Sequence, residues 1–181
     1  MRDFVQKKEP FDEVISEIKK DPEYGLKTFY GHYGRFITLV AKSYCYTDDL
    51  VDEVVNDVLV KVWEYAYKPY EIEKPKSWLF TITANCAKDK LKVRKLYSLD
   101  REIAIEENRF DEIIAQESFF SLISGLKDEE CYVMILRFEN KYTLQEIAQE
   151  IDKPLGSVSS IYYRALKKIK RKIKKVKKNT L

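Results

Sequence analysis

With 181 residues, 45% of them apolar and 13% aromatic, the chain carries enough hydrophobic material for a packed core, and only five glycines and five prolines argue against an all-β or disordered chain. The net charge of +3 conceals an uneven distribution: ten of the 33 basic residues lie between Arg164 and Lys178 with no acid among them, which leaves 23 basic against 30 acidic residues elsewhere, about −7. Three scattered cysteines (Cys45, Cys86, Cys131) and one histidine (His32) are too few for a zinc site, and no signal-peptide core or membrane-length apolar run occurs, so the sequence points to a cytoplasmic protein with reduced core thiols, no metal, no cofactor and no membrane insertion.

The apolar spacing predicts a short helix from Phe11 to Lys20, ended by Asp21-Pro22, and a longer one from about Tyr24 to Tyr44 with Leu26, Tyr30, Tyr33, Ile37 and Val40 facing inward. Gly31 and Gly34 permit close approach of a neighbour to that helix. Thr47-Asp48-Asp49 caps a third helix running to about Tyr67, with Leu50, Val54, Val58, Val62 and Tyr65 inward and Val51, Val55 and Leu59 flanking. After a loop from Lys68 to Lys76, Ser77 caps a fourth helix that continues to roughly Lys95. On it Thr81, Asn85, Lys88, Lys92 and Lys95 fall at four- and three-residue steps and form one polar-to-basic stripe able to track phosphates. Tyr70, Trp78 and Asn85 offer π-faces or amide edges to unstacked bases, although Trp78 reads equally well as a core anchor at a helix start. Seven acids between Asp100 and Glu117, with few apolar residues, predict a flexible acidic linker with room for a short helix near Phe110.

Apolar periodicity returns at Ser118 and leads into a helix-turn-helix. Thr143 and Glu146 stand in capping-box spacing, Leu144, Ile147, Ala148 and Ile151 recur helically, and Asp152-Lys153-Pro154 stops the helix. A second helix resumes near Leu155, with Leu155, Val158, Tyr162, Ala165 and Ile169 inward and Ser157, Ser159, Ser160, Tyr163, Arg164 and Lys167 outward. The fold class is therefore all-α: a four-helix N-terminal bundle (1–96), a flexible acidic linker (97–117) and a C-terminal helix-turn-helix domain (118–181).

The runs from Asp48 to Trp63 and from Lys76 to Leu91, followed by the unit from Tyr142 to Leu166, together resemble a bacterial sigma factor of the extracytoplasmic-function group. The resemblance implies a non-enzymatic, detachable promoter-reading subunit of RNA polymerase. By matching position it implies a contact with core RNA polymerase at Glu53, Asn56, Asp57, Val60 and Lys61, single-strand capture at the minus-ten element of promoter DNA by Tyr70, Lys76, Trp78, Thr81, Asn85, Lys88 and Lys92, and duplex reading at the minus-thirty-five element by Ser157, Ser159, Ser160, Tyr163, Arg164 and Lys167. It also implies an anti-sigma factor as a partner. Where such factors usually show a lysine and an arginine, this chain has Ser159 and Ile161, so bidentate guanine reading is reduced and the lysine ladder after Arg164 supplies sequence-independent phosphate affinity.

Two other classes compete with this reading. A stand-alone helix-turn-helix repressor or activator accounts for the C-terminal domain but has no need of the stripe on the fourth helix. An enzyme could hold a divalent ion on Asp49, Glu53 and Asp57, which share a helix face, but neither a histidine nor a nucleophile–base pair accompanies them.

Overall fold

A computed structural model describes residues 11–69, 71–97 and 119–179. Among them the chain is all-α, as expected, with eight helices and no strand. The expected linker, apart from Tyr97 at the end of a helix, and the short helix placed near Phe110 lie outside the described residues, as does Tyr70. Among the described residues no helix is long and apolar enough to cross a membrane.

The first helix, α1 (Phe11–Lys20), buries Phe11, Val14, Ile15 and Ile18, one stripe at three- and four-residue steps, with acids in its first turn and lysines in its last. The next, α2 (Pro22–Tyr44), starts two residues earlier than expected: Asp21 accepts a hydrogen bond from the Tyr24 N–H at 3.1 Å, and Pro22, preset for helical φ, fills the first position. The Asp-Pro pair thus ends one helix and opens the next. Tyr30 is 46% exposed rather than inward, and Gly31 meets no neighbour. Close approach occurs at Gly25 instead, where the α2 backbone crosses that of α1. The atoms nearest to Gly34 belong to the Tyr30 ring of its own helix.

Thr47 caps α3 (Asp48–Ala66) as expected, accepting from the Leu50 N–H, and Leu50, Val54, Val58, Val62 and Tyr65 are all buried. In α4 (Pro75–Tyr97) the expected cap is displaced. The helix opens on Pro75, the Lys74 carbonyl accepts from the Trp78 N–H at 3.0 Å, and Ser77 lies inside the first turn. These four helices pack on one another as the expected bundle, around a core that includes Phe29, Ile37, Val54 and Leu79.

Four further helices form the C-terminal module: α5 (Phe119–Ile123), α6 (Asp128–Phe138), α7 (Leu144–Glu150) and α8 (Leu155–Asn179). Unbroken burial from Glu130 to Leu136 makes α6 its centre. At the start of α6 the Glu130 carboxylate accepts the Lys127 backbone N–H at 3.0 Å, satisfying a donor that the helix itself leaves open.

The two modules share a core. Phe80 on α4 stacks on Tyr132 on α6 with ring centroids 4.5 Å apart, and both rings are buried. Beside them the Cys131 thiol donates to Ser43 Oγ at 3.3 Å and Tyr44 Oη donates to Asp128 at 2.8 Å. Ion pairs rim this contact: Lys88 with Asp128, Lys74 with Asp152, and Arg35 with Glu139 at 2.9 Å. Two modules joined only by a tether were expected, yet a single buried cluster runs through both. All three cysteines are free and buried.

Candidate nucleic-acid interface

The helix-turn-helix is built as its residues dictate. Thr143 Oγ1 accepts the Glu146 N–H at 3.1 Å while the Glu146 carboxylate accepts the Thr143 N–H at 2.6 Å, a reciprocal capping box that holds the glutamate below the usual carboxylate range. Ile147 anchors α7 in the core. The turn places Asp152 at φ +51°, a left-handed conformation that aspartate tolerates better than most residues, and α8 starts one residue after Pro154.

On α8 the inward stripe is Val158, Ile161, Ala165 and Ile169, with Tyr162 half-buried. Ile161 is therefore a core residue, and Leu155, expected inward, is 48% exposed. Of the six expected duplex-reading residues, Ser157, Ser160, Tyr163, Arg164 and Lys167 are exposed, whereas Ser159 is half-buried. Ser160 Oγ donates back to the Gly156 carbonyl at 2.9 Å. Tyr163 is the more exposed of the two large hydrophobic residues on the outer side of the helix, at 64% against 48% for Leu155. Arg164 and Lys167 line an open cleft of about 390 Å³ with Arg171 and Lys168. At its edge the buried carboxylate of Glu130 takes Lys168 Nζ at 2.6 Å; burial alone would raise this acid, but the Lys168 and Lys127 hydrogen bonds prevail and hold it below the usual range.

The lysine ladder is ordered as helix. Lys170, Arg171, Lys174 and Lys175 are exposed, while Ile169 and Ile173 face inward. Lys172 points the other way from its neighbours: its Nζ donates to the Ser121 and Ser124 carbonyls at 2.9 and 2.6 Å, and burial depresses its pKa. That contact ties the far part of α8 to the turn after α5.

Of the stripe expected on α4, the side chain of Lys95 lies outside the described residues, and the others fare differently. Thr81, Asn85 and Lys92 are exposed. Lys76 is half-buried, its Nζ donating to Tyr142 Oη at 2.9 Å above the tyrosine ring, and Lys88 is held by Asp128. Trp78 stands against Tyr65 and Phe11, with centroids 4.9 and 6.0 Å away, and is only half-buried, so it anchors the bundle while part of it stays accessible.

On α3, Asn56, Val60 and Lys61 are exposed. Glu53 and Asp57 are occupied: Lys90 of α4 lies 3.4 and 3.2 Å from them, and Arg94 lies 3.8 Å from Glu53. These acids brace α3 against α4, which the charge pattern alone did not reveal. The sequence reading also passed over Trp63 and Tyr67, which are 43% and 55% exposed and meet edge to face at 5.8 Å. With Val60 they make an outward apolar step of three and four residues, a spacing that was readable in the chain. Among the described residues no group of His, Cys, Asp or Glu is arranged to hold a metal ion.

The described residues thus carry a capped helix-turn-helix, a basic outer face on α8 and a second polar-to-basic stripe on α4. Family models match two stretches of the chain. A model of sigma-70 region 2 matches residues 29–96, and a model of sigma-70 region 4 matches residues 122–171. No curated protein matches the chain. Together the two regions span well over half of the sequence, in the order and pairing of the small extracytoplasmic-function type, and the chain belongs to the sigma-70 family of transcription initiation factors, which direct RNA polymerase to promoter DNA.

Proposed function

We propose that this factor docks core RNA polymerase through the outer face of α3, reads the minus-thirty-five element as duplex with the front of α8, and captures the minus-ten element as a single strand along α4. The observation that carries this reading is the presence, in one chain, of two separate polar-to-basic faces of different chemistry. The α8 face is a short helix start with hydroxyls and a phenol in front and guanidinium and ammonium groups behind, suited to base edges and flanking phosphates in a major groove. The α4 face combines ammonium groups with an amide and a half-buried indole, suited to a strand whose bases have left the stack.

For the polymerase contact, Asn56, Val60 and Lys61 supply the exposed surface, and Trp63 and Tyr67 extend it with the kind of aromatic area that dominates protein interfaces. Glu53 and Asp57 contribute from its edge while holding Lys90. The work is regulatory rather than catalytic and takes place in the cytoplasm with the polymerase, and an anti-sigma factor is the further partner implied by the resemblance. Co-elution with purified core polymerase on gel filtration tests the docking step. A complex that also retains a labelled single strand supports the strand reading; a chain that footprints duplex operators tightly on its own, and ignores core enzyme, would fit a stand-alone repressor instead.

A further inference from the structure

From Leu155 to Tyr163, about two and a half turns, α8 contains no Arg, Lys, Asn or Gln, so its front holds none of the side chains that read a purine through two hydrogen bonds. Lys153, in the turn ahead of the helix, is taken by Glu129 at 2.6 Å. The first guanidinium of the helix, Arg164, lies to one side of the face, in the cleft that it lines with Lys168, Arg171 and Glu130, a setting for a phosphate rather than a base edge.

Opposite the buried stripe of Val158, Ile161, Ala165 and Ile169, the exposed residues at four- and three-residue steps are Gly156, Ser160, Tyr163 and Lys167. Gly156 has open space where a side chain would stand. Ser160 gives its hydroxyl hydrogen to the Gly156 carbonyl at 2.9 Å and so presents only an acceptor outward. Tyr163, 64% exposed, projects the one large surface of that row, and the half-buried Tyr162 meets it edge to face with centroids 5.3 Å apart, which props the ring. A duplex on this face meets bare backbone, one acceptor and an aromatic ring before it meets Lys167.

We propose that Tyr163 is the specificity-determining residue of the duplex-reading face, its ring packing on the C5-methyl groups of thymine, so that the upstream element this factor selects is rich in T·A pairs rather than led by guanine. The inference rests on the reading of α8 as the duplex-binding helix and names the base chemistry that helix takes. Among the four bases only thymine offers an apolar group at its major-groove edge, and the Ser160 acceptor suits the amino group of adenine. Arg164, Lys167 and Arg171 then hold the helix on phosphates without choosing among sequences.

The test uses core RNA polymerase carrying the full-length chain, first to select promoters from a random duplex library. The upstream element of a selected promoter is then made with deoxyuridine in place of thymidine, which removes the methyl group and leaves the hydrogen-bonding edges intact. The parent complex is expected to select a thymine-containing element and to bind the methyl-free duplex about fourfold more weakly for each methyl contacted. The Tyr163→Ala complex is expected to bind the two duplexes alike, which separates a ring contact from a change in duplex shape, while Tyr163→Phe, which keeps the ring, retains the difference. Arg164→Ala is expected to weaken binding to both duplexes equally and to lower the salt slope by about one.

Equal binding of the two duplexes by the parent complex, a guanine-led upstream element, or an undiminished difference in Tyr163→Ala overturns the methyl contact while leaving α8 as the duplex-binding helix. Selected promoters that share no upstream element overturn that reading of α8, and this inference with it.

Discussion

Gly25 of α2 crosses Ile18 of α1 backbone to backbone, so closely that a methyl group on the glycine would stand 2.4 Å from the Ile18 nitrogen. Only hydrogen fits there, and neither partner is a flexible side chain that could move aside. Gly25→Ala is expected to destabilise the bundle by about 2 kcal/mol or more through forced separation of the two helices. Gly31→Ala is the matched control: nothing lies within 4 Å of its added carbon, and the gain in helix propensity is expected to stabilise by about 0.5–1 kcal/mol. Urea denaturation of the two variants checks the opposite signs.

The Thr143–Glu146 capping box fixes where α7 begins and hence how the turn presents α8. Thr143→Ala removes the acceptor for the Glu146 N–H and is expected to cost about 1 kcal/mol, seen as a fall of a few degrees in the thermal midpoint. Thr143→Ser keeps the oxygen and is expected to retain most of that stability.

Val60 offers a cleaner probe of the α3 surface than the acids beside it. Charge reversal at Glu53 or Asp57 sets like charges against Lys90 and Arg94 and so disturbs folding as well as docking. Val60, 53% exposed, has no such duty. Val60→Glu is expected to leave stability within about 0.5 kcal/mol of the parent and to weaken association with core polymerase at least tenfold, measured by competition for labelled core enzyme.

Glu130 gives the fold a pH dependence of definite sign. Its carboxyl is held below the usual range in the folded chain by Lys168 and the Lys127 N–H against the opposing effect of burial, so the stabilisation is fully present above the ordinary carboxylate pKa and is lost as the pH falls through the lowered one. Glu130→Gln keeps the shape without the charge. The stability difference between parent and variant is expected to be about 1–2 kcal/mol near neutrality and to shrink steadily on acidification below the ordinary carboxylate range. Denaturation curves across that range measure it, and a difference independent of pH contradicts the assignment.

Much of this architecture was legible in the residues. Helix period placed Val54, Val58 and Val62 inward, and the Thr143 and Thr47 caps sit where side-chain spacing puts them. Local rules failed where two signals shared a residue. Asp21-Pro22 both stops α1 and starts α2, and Pro75 opens α4 ahead of the more conventional cap at Ser77. Period also says that a side chain faces inward without saying against what. Phe80 and Tyr132 lie on different modules far apart in the chain, and only the assembled structure pairs them. The same limit hid the bracing role of Glu53 and Asp57, whose partners lie on another helix, and misplaced Ile161, which is core rather than a weakened base-reading position. For the candidate site, the stripe and the recognition face were visible as patterns, but the covering of Lys76 and Lys88 depends on long-range packing that no window of sequence contains.

As a sigma-70 family factor, this chain gives RNA polymerase a choice of promoter. The most direct measurement is in vitro transcription from fragmented genomic DNA with purified core RNA polymerase, with and without the protein, followed by mapping of transcript starts. Discrete new starts that appear only with the protein, and that share a two-part upstream element, are the expected result; an unchanged pattern of initiation from fragment ends and nicks would contradict it.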